Sequence, residues 1–523
     1  MDRSLLTVKH LFYNALKHHG EKPAVRFQEQ ELSYKQLLQA GNRVARALRK
    51  YGVEPSTPVA LMMSNCLEFI ISDMGLNLAG GTKIPLNDML GEKEIKYILQ
   101  DSEAKVAIVG ANFLNIIAKI KEDLPKLETI VAVIENEACP QGMISWDSFQ
   151  ANERDDDVHV EVYPQDRALI AYTGGTTGLP KGVVHTQENI AINLFSHTIE
   201  MELGGAERIL LMSPLPHSAG MVMQAGILKG AYHFIEKGFD PQLVLNRIEQ
   251  DKITFTFMVP TMIYRVMDQM EDRDYDFSSL QTILYGAAPI TESRLKQGLQ
   301  LFGPVFTQLY GQTEAPNFIC RLKKSDHLVT GDKTKRLRSC GQPVLMSQVK
   351  IVDENGHEVA EGVEGEIVAK TPYNMNGYHK QSEKTDETLK QGWLHTGDVG
   401  MKDEDGYIYL LDRKKDMIIS GGMNIYTSEV ENVIQRHPAV GQVAVIGVPH
   451  PDWGEAVMAI IVPKPNTNPL TESILELCNQ ELSKYKRPKE IRFAAALPLT
   501  PYGKIDKKEL RRPFWEGVGR NIT

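Results

Sequence analysis

Apolar side chains return at helical spacing between Leu32 and Lys50, at Leu37, Leu38, Val44, Ala45 and Leu48, and this period predicts an amphipathic helix. A short apolar run, Val59 to Met63, follows it and reads as a strand. Val106–Val109, Ile130–Ile134 and Ala168–Tyr172 repeat the signal, each separated from the last by helical or turn segments. Continuous short apolar runs of this kind suit strands buried on both faces, so the pattern predicts a parallel sheet covered by helices. Arg208–Met212, Thr254–Val259 and Thr282–Leu284 extend it, each ending in a Pro- or Gly-containing turn, where open α/β sheets place their ligands.

The pattern then changes. From Val349–Asp353 through Gly365–Lys370 to Tyr407–Asp412 the helices thin out and Gly-rich hairpin signals appear, which predicts a β-rich subdomain. The charged run Asp412-Arg413-Lys414-Lys415-Asp416 follows. By itself it fits a solvated hairpin turn as well as a boundary. Beyond it lie a helix (Thr427–Arg436), strands (Gln442–Val448 and Val457–Val462), a helix (Thr471–Leu482) and a strand near Ile491–Ala494. These make a small α+β domain of about 110 residues. The expected fold class is α/β: a large N-terminal domain over 1–412, built of α/β layers with the β-rich subdomain, and a small mobile α+β C-terminal domain over 413–523.

Composition narrows the function classes. The 523 residues exceed what one hydrophobic core supports, in keeping with two or more domains. A net charge of −9 excludes the broad basic surface that a nucleic-acid partner demands, so any anion must be held by local lysines, arginines and backbone amides. The five cysteines, Cys66, Cys139, Cys320, Cys340 and Cys478, are scattered and odd in number, which indicates neither a disulfide framework nor a zinc site and fits a reducing, cytoplasmic location. The N-terminus lacks a signal-peptide core, and the most apolar early stretch, Leu61–Gly80, is interrupted by Glu68 and Asp73, so no transmembrane segment is expected.

One segment carries clear chemistry. Thr173-Gly174-Gly175-Thr176-Thr177-Gly178-Leu179-Pro180-Lys181-Gly182 follows an apolar strand. Glycines let amides turn toward an anion, threonine hydroxyls add neutral donors, and Lys181 supplies the charge a polyphosphate needs. It is not a Walker A loop, because Pro180 precedes the lysine and Gly182 follows it. The residues indicate a nucleotide without indicating which phosphate is attacked.

That loop, with Tyr310-Gly311-Gln312-Thr313-Glu314, Trp393-Leu394-His395-Thr396-Gly397-Asp398, Asp412–Asp416 and Pro501-Tyr502-Gly503-Lys504-Ile505, resembles the adenylate-forming superfamily of acyl-CoA synthetases, peptide-synthetase adenylation domains and luciferases. Within it the chain resembles most the medium- and long-chain acyl-CoA ligases. The motifs fall in the family's order from about residue 10 to about residue 515. The resemblance implies ATP, Mg²⁺ and coenzyme A as reactants and cofactors. It implies nucleotide contacts from Thr173–Gly178 and Lys181, adenine stacking on Tyr310 beside Gly311, an α-phosphate contact from Thr313, a metal ligand in Glu314, a ribose acceptor in Asp398 and a ribose or phosphate contact from Arg413. Gly286, Ala287 and Ala288 would line the nucleotide and acyl pockets, with His217 and Met221 on the acyl side, although His217 equally suits a buried structural histidine. Lys504, which alone would be read as a solvent-exposed lysine, becomes the catalytic lysine; Lys415 becomes the hinge; and Ser420-Gly421-Gly422 would line a pantetheine tunnel after rotation of the small domain.

The stretch Pro214–Gly220 contains no acid to pair with an amino acid's ammonium group, which argues against an α-amino acid substrate. Expected partners are therefore a small carboxylic acid, fatty or otherwise largely apolar, with ATP and CoA. Loading of a carrier-protein thiol and aryl-acid CoA ligation remain the alternatives. The chain is expected to be a monomer or a homodimer.

Overall fold

A computed structural model describes residues 5–135, 138–173, 180–270, 274–288, 290–465, 467, 469–500 and 504–516. The helix anticipated after Leu32 spans Tyr34–Lys50, and its start is fixed by a reciprocal pair in which Ser33 Oγ accepts from the Gln36 amide while the Gln36 side chain accepts from the Ser33 amide. The predicted strands all form, with ends displaced by at most three residues.

The elements that build the site are helix α1 (Leu67–Ala79) and strands β1 (Thr82–Leu86), β2 (Arg167–Thr173) and β3 (Lys181–Thr186). Strand β1 lies inside an eight-stranded sheet, parallel to Pro58–Met62 on one side and to β2 on the other, while β3 runs antiparallel to β2. Helix α2 (Ser218–Lys229) and strands β4 (Phe306–Gln312) and β5 (Ala315–Leu322) belong to the second half of the large domain. There a nine-stranded sheet runs parallel from Pro23–Phe27 through Arg208–Leu211 and Thr282–Tyr285 to β4, and β5 closes it antiparallel. One apolar core joins the facing helices of both sheets: Phe69, Ile70 and Met74 of α1 pack in it with Val222 and Met223 of α2.

The β-rich subdomain is a five-stranded antiparallel sheet that contains β6 (Trp393–Lys402) and β7 (Ile408–Arg413). The small C-terminal domain has its own five-stranded sheet, including β8 (Ile418–Ser420), β9 (Met423–Ile425), β10 (Val440–His450) and β11 (Gly454–Pro463), with helix α3 (Thr427–Ile434) packed on it. The Asp412–Asp416 run is not the turn of a hairpin: β7 pairs with β6, whereas β8 pairs with β9 and β11 in a different sheet. The run therefore connects two sheets that have separate cores.

Candidate functional site

Strand register explains the first cluster. Asp398 on β6 and Arg413 on β7 are direct antiparallel partners, which puts Arg413 Nε 2.6 Å from Asp398 Oδ1. The hydroxyl of Tyr310, on β4, donates to Asp398 Oδ2 at 2.6 Å. The Asp398 carboxylate is buried, yet its Oδ1 has a charge contact without a well-directed hydrogen bond. That unused acceptor capacity in a cleft wall is what a ribose hydroxyl would satisfy. Sequence reasoning made Tyr310 an aromatic platform alone; its phenol also steadies the carboxylate.

The β4–β5 hairpin delivers the next pair. Gln312 and Ala315 are register partners, so Thr313 and Glu314 form the two-residue tip. Gly311 sits at a register shift just before it, and a Cβ there would lie 2.5 Å from the backbone of Asn317, so only glycine lets the hairpin close. Burial holds His185 neutral, down to about 4, and its Nε2 lies 2.8 Å from the Thr313 carbonyl, which anchors the tip to β3. Glu314 Oε1 accepts from the hydroxyl of Tyr378 at 2.7 Å, and the Lys181 ammonium lies 4.9 Å from the centre of that ring. Tyr378 thus links the lysine of the phosphate loop to the expected metal ligand. Sequence patterning offered no signal for it, because the contact comes from Tyr378 pairing with Val183 of β3.

Thr173 ends β2 and Lys181 begins β3, register partners at the base of the loop; Gly174, Gly175, Thr176, Thr177 and Gly178 lie outside the described residues. Gly286 closes the strand Thr282–Tyr285, and Ala287 and Ala288 line the cleft, Ala287 with φ +64°. This left-handed non-glycine residue marks a turn held by its surroundings. His217 caps α2, and its Nε2 lies 2.8 Å from the amide nitrogen of Asn87. Burial pushes the imidazole down to about 4, with Asp88 opposing and the charge of Lys504 adding to the depression. Met221 lies one turn along the same helix, also facing the cleft.

Lys504 reaches this place from the other end of the chain. A bridge between Leu499 and Ile505 closes its turn, with the Thr500 amide donating to the Lys504 carbonyl at 2.7 Å. Its ammonium lies in the field of Arg413, Asp398, Lys415 and Glu314, and of His217. The residue as a whole is exposed, yet protein crowds round the amine end: burial there first, then Arg413 and Lys415, push its pKa down to about 8 against the pull of Asp398 and Glu314. The Lys415 carbonyl accepts from Arg511 at 3.3 Å, and Ser420, Gly421 and Gly422 lie on the β8–β9 hairpin. The described residues contain no cluster of three or more His, Cys, Asp or Glu that could hold a metal by itself. A single carboxylate, Glu314, suits Mg²⁺ bound jointly by phosphate oxygens and water.

The cleft thus brings together the Asp398 carboxylate, the Thr313-Glu314 hairpin tip and Lys504 from the small second domain. The chain belongs to the AMP-binding enzyme family: the model of that name matches residues 12–379, and the AMP-binding enzyme C-terminal domain matches residues 429–504. It is 35% identical to a medium/long-chain-fatty-acid–CoA ligase, FadD8, of Mycobacterium tuberculosis, over 98% of this chain and 91% of that protein. It is 36% identical to a feruloyl-CoA synthase of an Amycolatopsis species, over 94% of this chain and 96% of that protein. Among solved structures it resembles the amide bond synthetase McbA of Marinactinospora thermotolerans, with a TM-score of 0.88 and 28% identity over 97% of this chain and 100% of that one.

Proposed function

We propose that the protein is an AMP-forming carboxylate–CoA ligase acting on a largely apolar acid, with residues 1–412 carrying ATP and the acid and residues 413–523 acting as the moving catalytic domain. The observation that carries this reading is the company Lys504 keeps: a cation from the small domain among Asp398, Arg413, Glu314 and His217. In the first step a carboxylate oxygen of the acid bonds to the α-phosphorus of ATP as the bond to the β-phosphate bridging oxygen breaks, and pyrophosphate leaves. Lys504 offsets the repulsion between the two anions, Lys181 and the loop threonines hold the departing phosphates, and Asp398 with Tyr310 fixes the nucleoside. Mg²⁺, held by Glu314 and the phosphates, would neutralise charge there.

In the second step the thiol sulfur bonds to the acyl carbon, the acyl–oxygen bond breaks, AMP leaves with the electron pair, and the thiol proton passes to solvent. Lys504 must withdraw to admit the thiol, a movement assigned to rotation about Lys415. CoA as acceptor is supported by the two CoA-ligase relatives, whereas the amide synthetase shows that the fold alone does not choose an acceptor. A cytoplasmic location is supported by five free cysteines, three of them buried, and no helix of the described residues is long and apolar enough to cross a membrane. The test is pyrophosphate release over a panel of alkyl and aryl acids, run with and without CoA, with mass spectrometry of the products. Acid-dependent pyrophosphate release and a CoA thioester are expected; acid-dependent release with no thioester from any acid would reject CoA as acceptor.

A further inference from the structure

Strand β1 and helix α2 both line the cleft and are linked at two places, by residues flanking their ends at the outer one and through Asp73 of α1 at the inner one. At the outer one, the side-chain amide of Asn87, the residue after β1, meets His217, the residue before α2. At the inner one, Gln224 of α2 donates from Nε2 to Asp73 Oδ2 at 2.7 Å, and Lys83 of β1 pairs with Asp73 Oδ1, also at 2.7 Å. Asn77, one turn from Asp73 on α1, donates to the same Oδ1 at 3.4 Å. His217 and Gln224 are seven residues apart, about 10 Å along a helix, and Asn87 and Lys83 are four apart, about 13 Å along a strand. Between the two contacts the cleft is lined by Met221 and Pro85. These residues mark off a stretch of the cleft with Met221 and Pro85 along it, His217 and Lys504 toward one end, and the amides of Asn77 and Gln224 with the Lys83 ammonium at the other, the floor.

The floor has spare hydrogen-bonding capacity. Gln224 is 3% exposed and lines the cleft, but among the described residues its Oε1 accepts no hydrogen bond. Lys83 lines the cleft as well, and Asp73 is the only bonded partner of its three-donor ammonium among the described residues. Asp73 balances the charge of Lys83, so the floor is neutral and offers both a donor and an acceptor. A plain alkyl end would strip water from these groups and return nothing, at a cost of about 1–3 kcal/mol per unsatisfied group. A second carboxylate would meet an ammonium already neutralised.

We propose that the acyl slot is built for a compact acid, about 10 Å from carboxylate to tip, that ends in a neutral oxygen function such as a hydroxyl, hydrogen-bonded by Gln224 and Lys83. This rests on the ligase reading above and restricts its substrate class: an apolar body, limited in length, with a polar tip. The floor stops an extended long alkyl chain, and it distinguishes a hydroxylated acid from its deoxy analogue.

The experiment measures kcat/KM for pyrophosphate release with 3-(4-hydroxyphenyl)propanoate, 3-phenylpropanoate, 3-(4-carboxyphenyl)propanoate and decanoate. The hydroxylated acid is expected to exceed each of the others by at least about tenfold. Gln224→Leu is expected to bring the ratio between the first two to within about twofold, as a lost pairwise hydrogen bond would. The double variant Asp73→Asn with Lys83→Met, which removes the ion pair without leaving either charge unpaired, is expected to do the same. ATP titration calorimetry shows that each variant is folded and still binds nucleotide. Equal rates for the hydroxylated and deoxy acids, a preference for decanoate, or a ratio unchanged in both variants would overturn the polar floor and leave the ligase reading standing. Absence of pyrophosphate from every acid, here and in the wider panel, would overturn both.

Discussion

Lys504 is a residue whose chemistry depends on its address. On a surface its amine would stay charged up to about pH 10.4; in the cleft, burial together with Arg413 and Lys415 brings it down to about 8. The charged form is the one that can offset two reacting anions, and it is present below that pH and lost above it. The pH profile of kcat/KM for pyrophosphate release reports groups of the free enzyme, so it is expected to fall as pH rises through about 8. Lys504→Arg, with a guanidinium that stays protonated, is expected to be slower and to lack that alkaline limb. A profile for the original enzyme that stayed flat to about pH 10 would show that the amine keeps its ordinary lysine value in the cleft, and would overturn the depression by burial, Arg413 and Lys415. Asp398 was legible in the sequence as an acceptor, but its tether was not, because Tyr310 lies 88 residues away and meets it only through the folding of two sheets.

At the scale of elements, the β8–β9 hairpin has two reasons for its glycines. Ser420 pairs with Met423, and the two loop residues have φ +59° at Gly421 and +79° at Gly422, the paired left-handed conformation of a tight hairpin turn. The motif therefore reads as a turn requirement as well as the proposed tunnel lining. A bulky side chain at Gly422 would confuse the two, since strain would weaken the hairpin whatever its distance from a ligand. Gly422→Asn separates them: asparagine tolerates a positive φ, and a Cβ at this position meets nothing within 4 Å. Adenylation by Gly422→Asn is expected to stay within about twofold of the original, while thioester formation from supplied acyl-AMP falls by about tenfold or more, the effect of a misfit in a narrow slot. Thioester formation at the original rate would leave these glycines with the turn alone.

For the whole molecule the question is how one cleft serves two reactions. The linker is held on both sides: the Lys414 amide donates to the Gly397 carbonyl at 3.0 Å, Asp412 Oδ2 accepts from the Thr427 amide and hydroxyl at the start of α3, and Arg511 pairs with Asp416. Lys415 lies between these anchors, and among the described residues its own amide donates no hydrogen bond. Lys415→Pro therefore removes no donor from the observed arrangement while restricting φ. It is expected to retain acyl-AMP synthesis and to lose most of the thioester step. Lys504→Ala is expected to show the reverse, with acyl-AMP synthesis down by about 100-fold or more and thioester formation from supplied acyl-AMP within about tenfold of the original. Single-turnover assays of each half-reaction distinguish these profiles, and equal damage to both steps by Lys504→Ala would remove the support for two working conformations.

The sequence by itself determined the elements and the nucleotide chemistry. Apolar runs placed the strands to within three residues, and motifs local in the chain, such as Thr313-Glu314 or Gly397-Asp398, were legible because a hairpin tip or a single strand presents neighbouring residues together. Only the tertiary structure decided which distant residues meet: Tyr310 with Asp398, Tyr378 with Glu314, Asn87 with His217, and Asp73 with both Gln224 and Lys83. These contacts join residues separated by 10 to 151 positions, on elements whose periodicity reports which face is buried but not against what. The proposed acyl slot rests on such contacts, so substrate preference was the part of the function the linear pattern could not hold. In that proposal it depends on how a strand of one sheet and a helix packed on the other are joined through Asp73.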